Sequence, residues 1–115
     1  MKQLNLFPYY EELIRSQEKT TTIRLGNKTN HYKIGDEIVI TIGWEEKNGV
    51  KINHGKITNI YLKKISELNY EDLEGESPDC INKKSVKYVI SSIYRKIVNN
   101  DDYVTVIKWK YNEDK

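Results

Sequence analysis

The sequence predicts a small α+β fold, a partly closed β-barrel of about five to six strands with helices at its ends. The 115 residues suffice for one domain with a modest core and are too few for two ordinary domains. Several short segments alternate apolar and polar residues with the period of a strand. One longer segment spaces its apolar residues as an amphipathic helix does. We therefore treat residues 1–115 as a single domain.

The first half of the chain predicts a helix followed by strands. Pro8 is well placed as the first residue of a short helix that fades near Gln17. Residues 20–25 predict a strand with two different faces, one holding Thr20, Thr22 and Arg24 and the other holding Thr21, Ile23 and Leu25. Alternating isoleucines in residues 37–42 predict the next strand. An Asn-Gly pair in residues 47–50 then predicts a tight hairpin turn to a partner strand at about residues 51–62.

The second half predicts a helical turn, a longer helix and a last strand. Asn69 can cap a short helical turn that runs through Glu74. From about Asn82 to Ile97, apolar residues recur at a spacing of three and four, which predicts an amphipathic helix. Residues 101–111 predict the final strand, and the few residues after it are expected to fray.

Composition excludes several broad classes of protein. The net charge of +2 gives no general attraction to nucleic acid, so any such binding must come from a local patch. No stretch approaches the roughly 20 apolar residues of a membrane span. Glu11 and Glu12 interrupt the N-terminal segment where a signal peptide needs an apolar run. The single cysteine, Cys80, cannot form an internal disulfide and is more simply a buried thiol than a nucleophile. We expect a cytoplasmic protein with neither a membrane partner nor a disulfide-linked partner.

The stretch EKTTTIRLGNKTNHYKIGDEI, residues 18–38, raises the functional question. It places three threonines between a lysine and an arginine, and no acidic side chain follows until Asp36. A strand can use threonine because its branched carbon suits a pleated backbone. A binding pocket can use the same residues for their hydroxyls and fixed charges. The residues by themselves favour the plain strand.

This stretch and the rest of the chain resemble the ASCH domain family, a branch of the PUA-like β-barrels. The resemblance runs over most of the chain and includes the helix before the motif, the hairpin, the acidic helix after Leu68 and the SSIY helix before the last strand. Its most specific parts are Lys19-Thr20-x-Thr22-Ile23-Arg24 and His31-Tyr32-Lys33-x-Gly35-Asp36. The resemblance implies a PUA-like β-barrel, and it puts the pocket interpretation ahead of the plain strand.

Thr22 indicates which ASCH proteins this chain resembles most. Many ASCH domains carry glutamate at this position, two residues before the arginine. A threonine at this position is similar to the small bacterial acetylcytidine amidohydrolases, which hydrolyse the acetyl amide of a modified cytidine. That resemblance implies three catalytic residues, which fall by position on Lys19, Thr22 and Glu76. The position of Glu76 depends on aligning Leu68 without gaps, so Glu74 remains an alternative.

Amide hydrolysis needs a nucleophile, a base and a donor for the developing oxyanion. Thr22 can supply a hydroxyl, and Lys19 can act as the base if a poorly solvated pocket lowers its pKa. Glu76 can accept a proton, orient water or hold the leaving amine. In a regular strand, Lys19 and Thr22 would point to opposite faces. The interpretation therefore requires Lys19 to lie where the strand begins and the backbone is still turning.

Further residues are candidates for binding the substrate or RNA: Thr20, Arg24, Lys28, His31, Tyr32, Lys33, Trp44 and Glu74. Arg24 can bind a phosphate or stack on a base, or it can form a structural salt bridge to Asp36. The basic loop residues can contact an RNA backbone or simply be solvated. The lysine pairs at 63–64 and 83–84 are most simply solubilising. Neither His31 nor His54 has a partner at metal-ligand spacing, so we predict no metal and no cofactor.

The leading hypothesis is an ASCH-domain protein that binds a modified nucleoside or RNA in a cleft and hydrolyses the acetyl amide of acetylcytidine. One alternative is a non-catalytic RNA-binding module or a ribonuclease of the ASCH family. A second alternative is a regulatory domain that binds a small ligand or a protein. The oligomeric state does not follow from the sequence.

Overall fold

A curled five-stranded sheet forms the framework of the protein. In the computed structural model, which describes residues 1–112, the strands are β1 (Lys2–Leu6), β2 (Thr21–Leu25), β3 (Glu37–Ile42), β4 (Val50–Lys64) and β5 (Tyr103–Tyr111). Their order in the sheet is β1-β3-β4-β5-β2. Strand β1 runs parallel to β3, and the other neighbouring strands are antiparallel. The predicted α+β half-barrel with flanking helices is confirmed, whereas the predicted fraying concerns residues outside the described part.

Three helices pack against this sheet, α1 (Glu11–Arg15), α2 (Tyr70–Leu73) and α3 (Lys83–Tyr94). A 3₁₀ turn at Pro8–Tyr10 leads into α1. Asn69 caps α2 and Asn82 caps α3, each by accepting a hydrogen bond from a backbone N–H three residues later.

Helix α3 is shorter than its apolar periodicity predicts. The sequence pattern extends to Ile97, but the helix ends at Tyr94 because Arg95 adopts a left-handed conformation with a φ of 53°. The turn directs the following residues away from the helix axis, and Ile97 is 85% exposed. The next residue, Val98, is fully buried and rejoins the core.

The core has two parts, which lie on opposite faces of β5. Val104 and Val106 contribute to a cluster that includes the apolar face of α3. Ile107 and Trp109 contribute to a second cluster that lies under α1 and includes β1 and β3. Because alternate residues of a strand point to opposite faces, one strand can join both clusters. Its position inside the sheet explains the almost continuous apolar run of β5.

The structure corrects two local expectations from the sequence. Strand β1 was not predicted, and its Leu4 and Leu6 fill the second cluster beside β3. The predicted tight Asn-Gly turn is wrong, because residues 43–49 form a longer connection with a 3₁₀ turn at Glu46–Asn48. Gly49 has an ordinary φ of −67°. It is required for space, because a Cβ there would lie 2.6 Å from Thr41 Oγ1.

We expect Leu4→Ala to lower the free energy of unfolding by about 2–5 kcal/mol, because Leu4 is fully buried and its removal leaves a cavity. The measurement is urea unfolding followed by circular dichroism. Leu62→Ala is the matched control, since Leu62 is 37% exposed and should lose only about 0.5 kcal/mol. Equal small losses in the two variants would show that residues 2–6 do not pack as a core strand.

Candidate active site

Lys19 is buried at the point where the chain turns into β2. Gln17 has a left-handed φ of 66°, which reverses the chain after α1. The Lys19 N–H donates to Leu13 O over 3.1 Å, and the Tyr111 hydroxyl donates to Lys19 O. The Lys19 side chain is only 1% exposed. Because Lys19 precedes the first strand residue, the alternation of β2 does not apply to it, and it lines the same cavity as Thr22.

Glu76 is the charge partner of Lys19. Lys19 Nζ contacts Glu76 Oε1, and the Glu76 side chain is 4% exposed. The same carboxylate oxygen accepts a 2.7 Å hydrogen bond from the Ser77 N–H. The Tyr10 ring covers the amine, with its centroid 4.8 Å from Lys19 Nζ. The pair is therefore held between β2, the loop after α2 and the turn before α1.

Gly75 brings the glutamate to the lysine. Its carbonyl accepts hydrogen bonds from the Thr20 N–H over 2.8 Å and from the Thr21 N–H over 3.1 Å. Gly75 has a φ of +84°, and a Cβ at this position would lie 2.1 Å from Thr20 Oγ1. Only glycine combines this backbone conformation with this close approach. The loop can then present Glu76 beside Lys19.

Burial shifts the protonation equilibrium of Lys19 toward the neutral amine. Burial lowers the pKa of the Lys19 ammonium to about 7, and the Arg24 guanidinium acts in the same direction. Cys80 and Asp79 act in the opposite direction. The Glu76 carboxylate in contact with Nζ also favours the charged amine. We expect desolvation to dominate, so that the neutral amine is accessible near neutral pH and Lys19 can accept a proton.

A cavity of about 310 Å³ opens above this pair. Its polar end is lined by Lys19, Thr22, Arg24 and Glu76. Helix α3 supplies much of the apolar wall, through Val89, Ile90, Ile93 and Tyr94. Such a cavity, mostly apolar with a few convergent polar groups, is typical of a small-molecule site. Within the described residues, the Thr22 hydroxyl has no hydrogen-bond partner, so it is available to a ligand.

Arg24 is fixed at the wall of the cavity by the backbone of β1. Its Nη2 donates to Asn5 O over 2.6 Å. The alternative of a salt bridge between Arg24 and Asp36 is wrong, because Asp36 pairs with Lys2 at 2.8 Å. Strand β1, which the sequence pattern missed, therefore orients one of the candidate binding residues.

Other predicted binding residues lie away from this cavity. Thr20 and Glu74 line a separate shallow hollow with Lys108, and Glu74 is exposed. Lys28, His31 and Lys33 belong to the loop between β2 and β3, and none of them lines the cavity. Of the two candidate glutamates, Glu76 is the one that the structure brings to Lys19.

The two predicted aromatic residues differ in their placement. The Tyr32 ring packs against the cluster under α1, and its hydroxyl donates to Gln3 O over 2.8 Å. Trp44 is 62% exposed and does not line the cavity itself. Its ring lies 5.5 Å from that of Phe7, which does line the cavity. Tyr32 is thus a structural contact, and Trp44 borders the site through Phe7.

Sequence reasoning missed Tyr10 and Gly75 as residues of the site. Tyr10 covers Lys19 and donates a 3.0 Å hydrogen bond to Asp79 Oδ2. No pattern in the sequence links residues so far apart. Gly75 carried a usable signal, since a glycine in a loop often supplies the left-handed backbone of a turn.

The described residues limit other chemistries. Burial raises the pKa of the Cys80 thiol to about 12, so Cys80 is protonated and a weak nucleophile at neutral pH. Among residues 1–112, no group of three or more His, Cys, Asp and Glu side chains could hold a metal ion. No helix in this part of the chain is both long and apolar enough to cross a membrane.

The element order and the curled five-stranded sheet define a small α+β domain, and its fold is that of solved ASCH domains. No protein-family model matches the chain, and no curated protein sequence does. An ASCH domain from Lactobacillus crispatus superposes with a TM-score of 0.69 at 12% identity, over 96% of this chain and 79% of that chain. A DUF984 protein from Enterococcus faecalis superposes with a TM-score of 0.64 at 12% identity, over 96% of this chain and 80% of that chain.

An ASCH protein from Zymomonas mobilis, solved as a tyrosine-to-phenylalanine mutant, gives a TM-score of 0.62 at 14% identity. That match covers 94% of this chain and 67% of the other. The ASCH-type fold that the sequence resemblance implied is therefore confirmed. Since one fold hosts many functions, the activity must be argued from the site itself.

We expect Gly75→Ala to destabilise the protein more than Gly26→Ala does. Both glycines have a φ near +84°, but a Cβ at Gly26 meets nothing within 4 Å. Left-handed backbone should cost each alanine about 1–2 kcal/mol, and the contact with Thr20 should add at least about 1 kcal/mol at Gly75. Urea unfolding of both variants measures the difference. Equal losses would mean that the loop can move off β2 without penalty.

Proposed function

We propose that the protein hydrolyses the acetyl amide of acetylcytidine and releases cytidine and acetate. The observation that carries this proposal is the buried Lys19–Glu76 pair, which lines one cavity together with Thr22. A lysine that can lose its proton near neutral pH, a hydroxyl and a carboxylate are the groups that amide hydrolysis requires. The resemblance of the Lys-Thr-x-Thr motif to acetylcytidine amidohydrolases supports the choice of amide.

In the first step, neutral Lys19 takes the proton of the Thr22 hydroxyl, and Thr22 Oγ1 attacks the acetyl carbonyl carbon. The bond from that carbon to the exocyclic nitrogen of cytosine then breaks. Lys19 returns the proton to this nitrogen, and cytidine leaves. The acetyl group remains on Thr22 as an ester, and Lys19 is neutral again.

In the second step, water attacks the ester while Lys19 takes one of its protons. Lys19 passes this proton to Thr22 Oγ1, the ester bond breaks and acetic acid leaves, ionising in solution. Glu76 holds Lys19 Nζ in place and offsets its positive charge whenever the amine is protonated. Arg24, anchored on Asn5 O, offers a fixed cation for the negative charge that develops on the carbonyl oxygen.

The two ends of the cavity suit the two parts of a nucleobase amide. The flat face of the base can lie against Val89 and Ile93 of α3. The acetyl group would then face the polar end, where Lys19 and Thr22 lie. A base bound against these apolar side chains would also displace water from the polar end, which strengthens the electrostatic interactions of Arg24 and Glu76.

We expect the wild-type protein to release cytidine from acetylcytidine and Thr22→Val to lower kcat/KM by about 10²–10⁴-fold, because valine keeps the shape and removes the hydroxyl. Thr22→Ser is the matched control and should retain a measurable part of the activity. Chromatography of the reaction mixture measures release. A fully active Thr22→Val variant would exclude Thr22 as the nucleophile and leave water as the attacking group.

We expect Glu76→Gln to lose at least about tenfold in kcat/KM, because glutamine cannot offset the positive charge that Lys19 carries after it takes a proton. Glu74→Gln is the control at the alternative position, and it should retain nearly wild-type activity because Glu74 lies outside the cavity. A larger loss in Glu74→Gln would reverse the assignment. Absence of release by concentrated wild-type protein would exclude this substrate and favour an RNA-binding or ribonuclease function.

We expect kcat/KM to rise with pH and to level off above about pH 7, because the base form of Lys19 is the neutral amine and burial lowers its pKa to about 7. Below that value, the rate should fall about tenfold per pH unit. Lys19→Arg should be inactive over the whole range, since arginine stays protonated. A rate that decreases as the pH rises through 7 would contradict a neutral lysine base.

A further inference from the structure

Helix α3 carries a concentration of positive charge that the cavity does not use. Residues 80–100 contain five basic side chains and no acidic one. Because the whole chain has a net charge of +2, the remaining residues together carry −3. The nearly neutral total therefore hides a local basic segment, which Asp79 precedes and Asp101 and Asp102 follow.

Four of the five basic side chains border two hollows on the outer side of α3. One hollow is lined by Lys83, Lys84 and Lys87 with the polar residues Ser66 and Asn100. The other contains Lys84, Lys87 and Lys96 around Tyr88 and Ser91. Lys84 and Lys87 are common to both hollows, so the two are continuous. We call this surface, defined by Lys83, Lys84, Lys87, Tyr88 and Lys96, the lysine face.

The lysine face is placed where it weakens the helix. Lys83 and Lys84 occupy the first turn of α3, which contains no acidic residue. Positive charge at a helix N-terminus opposes the helix dipole. Lys87 lies three and four residues after them, so the like charges also repel one another along the helix. Solubility alone does not require lysines at positions where they destabilise α3. Their placement therefore favours a role in binding a negatively charged ligand.

The chemistry of the lysine face matches single-stranded nucleic acid. A row of lysines attracts phosphates, and the Tyr88 ring among them is 75% exposed and can stack on a base. The same helix lines the cavity through Val89 and Ile93, on the adjacent side. The two surfaces are thus no farther apart than about 10–12 Å, the width of one helix. A single strand of nucleic acid with one base in the cavity can therefore continue across the outer side of α3.

We propose that the lysine face binds the phosphate backbone of single-stranded RNA, so that the substrate is an acetylated cytidine within an RNA strand. The identity of the reactive base rests on the proposed function, whereas RNA binding by α3 rests on the charge and exposure of the helix itself. A base that enters the cavity must be unpaired and unstacked, and a single strand meets this requirement.

The test is a titration of a fluorescein-labelled oligouridine of about 12 nucleotides, followed by fluorescence anisotropy at several salt concentrations. Lys84→Glu/Lys87→Glu should bind at least about tenfold more weakly than wild type, with a salt slope reduced by about two. Lys28→Glu/Lys33→Glu makes the same change of charge in the loop between β2 and β3. It should lose less than about threefold, because it affects only long-range attraction.

A second measurement separates a binding role from a structural one. Lys84→Glu places an acidic residue in the first turn of α3, so its thermal unfolding midpoint should rise while its RNA affinity falls. A purely structural role would lower both together. Equal losses of affinity in the two double variants would overturn the assignment to α3. So would binding of anionic phosphatidylserine vesicles without binding of RNA, which would indicate a membrane surface.

Free acetylcytidine and labelled RNA test the cavity and the lysine face separately. Release of cytidine from free acetylcytidine by the wild-type protein tests the cavity alone. If cytidine is not released but RNA binding depends on Lys84 and Lys87, RNA binding by the lysine face is supported and hydrolysis of acetylcytidine is excluded. If release occurs but RNA affinity is unchanged in Lys84→Glu/Lys87→Glu, the substrate is the free nucleoside and the lysine face has no such role.

Discussion

The contact between Lys19 and Glu76 is the interaction on which the rest of the site depends. Each side chain is almost completely removed from water, so each charge needs the other. A buried ion pair adds little net stability compared with apolar residues of the same size, whereas the loss of one partner leaves an uncompensated charge. The fold therefore accepts a group that does little for its stability. Buried titratable groups with perturbed pKa values cluster at functional sites, which makes the pair a candidate for the centre of such a site.

Helix α3 connects the packing of the core to both candidate binding surfaces. Val86 and Ile90 join the core, Val89 and Ile93 line the cavity, and the lysine face points outward. With 3.6 residues per turn, a twelve-residue helix can present three chemically different sides at once. Its early end at Arg95 matters as well, because Lys96 then leaves the helix axis and remains beside Tyr88 in the same hollow.

Sequence periodicity predicted the elements that bury a regular stripe of apolar residues. Strands β2 and β3 and helix α3 fall close to their expected positions for this reason. Strand β1 escaped prediction because it has only five residues, and its backbone hydrogen bonds come from β3, more than 30 residues away in the chain. The Asn-Gly pair suggested a tight turn, but the packing of Gly49 against Thr41 determined a longer connection. Local propensity cannot anticipate such contacts between distant segments.

The sequence by itself determined the class of fold and the presence of Lys19, Thr22 and Arg24 in one short motif. It favoured Glu76 and left Glu74 as an alternative, because their order in the chain does not say which way a loop turns. The tertiary structure decided between them through the left-handed backbone of Gly75 and its hydrogen bonds to β2, which place Glu76 beside Lys19. The structure also shows that Lys28, His31 and Lys33, in the loop between β2 and β3, do not line the cavity. Burial and proximity arise only when segments distant in sequence pack together.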